Sequence, residues 1–217
     1  MLPIQYMVLV AVFCCFCGMM AFFVRIVRSG KPKDLSEKSG DTAKGILYAN
    51  TIAMAPKNKE SAYLHIPTYA SGMLFHIGTF CCLILFVLSF FPFFGRWMNN
   101  LPVLRALLAA AVSVACICGC AMLLKRAFSK DLKPLSTPDD YISTALTTTF
   151  QLFTVLYLCL SCVPAVVVLY YIACILLFLY MPLGKLRHVV FYFAARYHLG
   201  FFYGWRNVWP KNEDSTR

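Results

Sequence analysis

The chain has 217 residues, 60% hydrophobic and only 13% charged, with a mean hydropathy of +0.70. Soluble domains carry about a quarter charged residues, so a soluble two-domain protein is excluded. The net charge of +11 would suit nucleic acid. The Lys and Arg, however, fall between apolar blocks of about 20 residues, the length a helix needs to cross a bilayer, and nucleic-acid binding is set aside on that pattern.

The blocks predict an all-α integral membrane bundle of about five transmembrane helices, a single membrane domain over 1–217. The first span covers about 3–24 and is stopped by Arg25 and Arg28. Its start, MLPIQYMVLV, lacks a basic region and a small-residue cleavage site, so it reads as a retained helix. Residues 29–66 form a polar loop rich in Lys, Ser, Gly and Pro. The second span runs over about 68–92, and Arg96 and Trp97 follow in a short loop. The third covers about 102–124, before Lys125, Arg126, Lys130 and Lys133. From Tyr141 to Tyr180 the chain is apolar for too long to be one span. A turn at Pro164 divides it into spans over about 141–162 and 165–190, with Pro182 kinking the far end. Residues 191–217 are left as a tail.

Charge sets the orientation. With the N-terminus outside, the loop 29–66 with its flanking arginines, the loop after the third span and the C-terminal end all face the cytoplasm. They hold 8, 4 and 6 of the 20 Lys and Arg, as the positive-inside rule requires. A four-span version would put the basic tail outside. Trp97, Trp205 and Trp209 fall at predicted interfaces. The eleven cysteines lie almost entirely inside apolar blocks, without a paired CxxC in a polar loop. That disfavours zinc or an iron–sulfur cluster and reads as small, soft packing residues.

Histidine is scarce: His65, His76, His188 and His198. An ionisable residue within lipid is a functional hypothesis by default. His76, in SGMLFHIGTFCC, lies about 13 Å into the second span. His188, in MPLGKLRHVVFYF, lies near the cytoplasmic end of the fifth. Those spans run in opposite directions, which puts both imidazoles in the cytoplasmic part of the bilayer, where they could clamp an iron porphyrin from its two faces. Gly72 and Gly78 flank His76 and could admit a flat macrocycle. Lys185 and Arg187 could meet its propionates. Phe75, Phe80, Phe191 and Phe193 would line the pocket. The alternative is a pair of interfacial histidines bonded to backbone or side chains. His65 and His198 lie about ten residues beyond the pair; they are candidates for a second haem or a quinone site, or for interfacial hydrogen bonding. Arg187 is a further quinone candidate.

The segment FLYMPLGKLRHVVFYF, with Pro182, Gly184, Lys185 and His188, resembles the end of the last helix in the gamma (cytochrome b) subunit of respiratory nitrate reductase. It is also similar to the membrane subunits of heterodisulfide-reductase-like and sulfate-reducer transmembrane redox complexes. LFHIG, residues 74–78, resembles that family's first haem histidine. The resemblance implies an electron-transfer subunit of a quinone-linked oxidoreductase complex, not a stand-alone enzyme. It implies haem b on His76 and His188, menaquinone or ubiquinone as substrate, and an iron–sulfur partner on the cytoplasmic side. It also implies a bacterial or archaeal cytoplasmic membrane. Two-haem members carry two further histidines, which would fall near Phe86 and Tyr170 here. Both missing ligands belong to the outer haem, so one haem b is expected, on the cytoplasmic side. A haem-free anchor subunit and, with less support, a small transporter are the rival readings. The apolar blocks hold almost no charged residue to mark an ion path.

Overall fold

Prolines open several of the helices. Pro92, Pro102, Pro138 and Pro164 each stand at a first helical position, where the missing N–H costs nothing. In the computed structural model, which describes residues 3–30, 34–58, 62 and 64–210, the chain is 81% helical. The basic residues Lys31, Lys33, Lys59, Lys211 and Arg217 counted in the loop and tail lie outside the described residues.

The main helices are α1 (Pro3–Arg28), α2 (Thr42–Asn50), α3 (Ile66–Leu88), α4 (Pro92–Asn100), α5 (Pro102–Phe128), α6 (Pro138–Leu160), α7 (Pro164–Tyr180) and α8 (His188–Trp205). Four of them, α1, α3, α5 and α6, are long and apolar enough to cross a membrane. A fifth span is present if α7 and the segment Lys185–Trp205 are counted as one broken span.

Three expectations change. Helices α1 and α5 run on past their predicted ends, because Arg25, Arg28, Lys125 and Arg126 favour a helix C-terminus and end the apolar stretch without ending the helix. The fifth span, expected as 165–190, stops at Tyr180. Pro182 cannot donate to the helical ladder, and Leu183 and Gly184 instead donate to the Tyr180 carbonyl at 3.0 Å each. A short 3-10 turn, Lys185–Arg187, follows, and α8 occupies much of what was expected as a tail over 191–217. The loop 29–66 and the short link after the second span likewise contain helices. Asp41 caps α2, its carboxylate accepting from the backbone of Ala43 and Lys44 at 2.9 and 3.3 Å. Helix α4 buries Phe94 and Met98 on one face.

The chain divides into two compact units, Met1–Cys17 with Pro67–Leu186, and Gly18–Ile66 with Arg187–Arg217. In the first, α6 packs between α5 and α7. A small-residue face on α5, with Ala109, Ala115, Cys116 and Gly119 buried, permits the approach. A Cβ on Gly119 would meet Thr148 Oγ1 at 2.4 Å and the Phe75 ring at 2.8 Å. Cys82, Cys116 and Cys174 are buried in this core as expected of soft packing residues, whereas Cys14, Cys17, Cys120, Cys159 and Cys162 are exposed.

In the second unit, α2 and α8 touch backbone to backbone. A Cβ on Gly45 would lie 2.4 Å from the Gly200 carbonyl oxygen and 2.5 Å from Gly204 Cα. The segment leading into α2 is tied to the end of α8. The Ser39 and Gly40 amides donate to the Trp205 carbonyl at 2.9 and 3.0 Å, and the Trp205 indole donates to the Ser36 carbonyl at 3.0 Å. Arg206 grips Asp34 with both guanidinium nitrogens, at 2.8 and 3.1 Å. The Ser36 hydroxyl and amide, together with Arg206, hold the Asp34 carboxyl below the usual carboxylate range.

Candidate haem and quinone site

His76 sits on α3 with its side chain exposed at the surface of the helix. Its Nδ1 lies 2.7 Å from the Gly72 carbonyl oxygen, one turn earlier. A carbonyl can only accept, so Nδ1 is the donor in this bond. A metal-ligating histidine has this arrangement almost without exception: one nitrogen donates to a backbone carbonyl or carboxylate and the other is aimed at the metal. Gly72 lies on the same face, since residues four apart on a helix stack. A Cβ there would meet nothing within 4 Å, so the helix surface is open at that point.

Gly78 does not share this role. It is buried, and a Cβ on it would lie 2.1 Å from Ala115 Cβ, so this glycine brings α3 against α5 instead of admitting a macrocycle. Phe75 is also buried on that inner face, while Phe80 is 59% exposed. Gln151 of α6, fully buried, fixes the turn that carries His76. Its amide nitrogen donates to the Phe75 carbonyl at 3.0 Å and to Thr79 Oγ1 at 2.8 Å. Sequence reasoning passed over this residue. The available signal was one long polar side chain inside an apolar span.

Lys185 is engaged within the first unit. Its ammonium lies 2.6 Å from Asp140 Oδ2, and Arg126 approaches the same carboxylate at 3.2 Å. Beside them Tyr180 donates to Asp139 at 2.6 Å. These contacts fasten the end of α7 and the turn after it to the start of α6. Lys185 is half exposed, so a propionate would share it with Asp140.

His188, the first residue of α8, is exposed and belongs to the second unit, whereas His76 belongs to the first. Arg187 precedes it with its guanidinium 5.5 Å from the Phe22 ring centroid, and Phe191 packs on that ring at 5.7 Å. Within the first unit His76 and Gly72 remain candidates and Gly78 drops from the set; His188 and Arg187 stand at exposed positions of the second unit.

The positions where two-haem relatives of the resembled family carry outer ligands hold packed rings. Phe86 lies 5.0 Å from Phe178, and Tyr170, fully buried, stacks on Tyr157 at 4.6 Å. His65 is exposed in the turn before α3. His198 is half-buried and lines a cavity of about 620 Å³ between the end of α1 and α8. Among the described residues no group of three or more His, Cys, Asp or Glu is placed to hold a bare metal ion.

No family model matches the chain, and neither a characterised protein nor a solved structure is similar to it.

Proposed function

We propose that the chain is the membrane cytochrome b subunit of a respiratory redox complex, carrying electrons between the quinone pool and an iron–sulfur partner on the cytoplasmic side. His76 and His188 are its axial ligands. The observation that carries the reading is the Nδ1 hydrogen bond of His76 to the Gly72 carbonyl at 2.7 Å beside an open glycine. A metal-ligating histidine makes the same kind of bond to a backbone carbonyl with its second nitrogen. A bound haem b would supply one-electron redox chemistry, its potential set by axial ligands and burial. The chain's own part is to orient both imidazoles and to offer Arg187, and in part Lys185, to the propionates.

The N-terminus lies outside and the C-terminus inside a bacterial or archaeal cytoplasmic membrane, on the argument from Lys and Arg distribution. The 29–66 segment and the end of the chain form the docking face for the partner. In support, residues 34–50 are bonded to α8 and Arg206, so the two sequence-distant segments form one folded surface.

Substitution tests the ligands. His76→Ala and His188→Ala should each abolish the pyridine haemochrome signal of the purified chain, and His65→Ala should leave it intact. A low-spin haem spectrum that survives both alanine variants would overturn the assignment. A wild-type chain without haem would favour the haem-free anchor.

A further inference from the structure

Several cysteines do not match a packing role. Cys14, Cys17, Cys120, Cys159 and Cys162 are exposed free thiols. Two pairs of them stand in a C-x-x-C spacing, Cys14 with Cys17 and Cys159 with Cys162. Spacing alone decides nothing, and the backbone separates the pairs. Cys14 and Cys17 lie well inside α1, an apolar span of 26 residues. A thiolate there would sit in lipid without a partner, at high cost. Cys159 and Cys162 instead bracket the end of α6. That helix stops at Leu160, and Ser161 caps it at φ −61° and ψ −14°. The Val163 amide donates to the Leu160 carbonyl at 2.9 Å, closing a turn before Pro164 opens α7. Every residue from Cys159 to Pro164 is exposed. The backbone through Ser161 is still helical, and residues three apart in such a turn are neighbours, with Cβ atoms about 5–6 Å apart. A disulfide needs about 3.5–4.5 Å. Cys162 lies past the last helical residue, so the remaining approach bends the turn and leaves α6 intact.

We propose that Cys159 and Cys162 form a redox-active dithiol that exchanges with the disulfide of a protein partner on the outer face of the membrane. In the exchange the thiolate of one cysteine attacks a partner sulfur and expels the partner's other sulfur as a thiolate, giving a mixed disulfide. The second cysteine, as thiolate, then attacks the first and releases the partner. The Cys159–Cys162 bond forms and the partner's S–S bond is lost. Two electrons pass to the partner, and the two protons given up by Cys159 and Cys162 are matched by two taken up on the partner's sulfurs. The outer placement rests on the proposed orientation, which puts the turn after α6 on the same side as the N-terminus. Disulfides form and persist on that side of a membrane. The exchange needs no haem, so it stands apart from the cytochrome reading.

The test uses the full chain in nanodiscs, reduced with dithiothreitol, equilibrated with glutathione disulfide, blocked with N-ethylmaleimide and mapped by peptide mass. Cys159 and Cys162 should both lose their alkylation and appear in one disulfide-linked peptide, which dithiothreitol reverses, while Cys14 and Cys17 stay alkylated. Cys159→Ser and Cys162→Ser should each leave the remaining cysteine carrying a glutathione adduct, which the wild-type chain resolves. In sealed cells a membrane-impermeant maleimide added outside should block the pair without lysis. Three results overturn the proposal: a wild-type chain in which both thiols stay alkylated, a glutathione adduct that persists in the wild type as it does in the serine variants, or maleimide labelling of the pair that requires lysis.

Discussion

Gln151 is the polar residue most deeply committed to the turn of α3 that carries His76. It spans from α6 to α3 with two hydrogen bonds, and both acceptors lie within three residues of the histidine. Interhelical hydrogen bonds in membrane proteins are worth about 0.6 kcal/mol on average and up to about 1.7. Gln151→Leu should therefore destabilise the chain by about 1–2 kcal/mol, seen as a lower thermal midpoint in detergent, with haem content retained because the His76–Gly72 bond lies within α3. An unchanged midpoint would mean that the amide contributes nothing net. At this scale the sequence was partly legible. Scarcity singled out His76 and His188 as candidates, and the backbone bond of His76 matches the interfacial alternative as well as ligation. The split between Gly72 and Gly78 was not legible. Both flank the histidine, and only the packing of Ala115 assigns Gly78 to the helix contact.

The helices were legible where apolar length alone decides, in α1, α3, α5 and α6. They were not legible where a local backbone event decides. Pro182 could have kinked a continuing helix or ended one. The outcome rests on Gly184, whose Cβ would collide with the Tyr180 ring at 2.2 Å and the Asp139 carboxylate at 2.8 Å, so the chain turns sharply there. The α2–α8 pair was missed although Gly200 and Gly204 stand in a G-x-x-x-G spacing, because the second partner, Gly45, lies in a segment that reads as a polar loop. This contact leaves no room for side chains. Gly45→Val should cost about 1–3 kcal/mol through overpacking and loosen α2 from α8, measured as faster proteolysis within residues 34–58. Gly95→Ala, at a site where a Cβ meets nothing within 4 Å, serves as the control and should leave cleavage unchanged. Equal cleavage in both variants would contradict the packing account.

For the whole molecule, composition was enough to exclude a soluble domain, and the basic segments were enough to argue an orientation. The expectation of a single haem comes from a coherent absence in the sequence. Phe86 and Tyr170 are built into an aromatic core with Phe178, Tyr157 and Tyr171. On the proposed reading, one ligand pair on the cytoplasmic side would exchange electrons with quinone and partner from that side. The most direct measurement is the ratio of haem b to chain in the purified protein, taken from the pyridine haemochrome against total amino-acid analysis. The account predicts one haem per chain with a low-spin, bis-histidine spectrum. A ratio of zero, or of two, would contradict it.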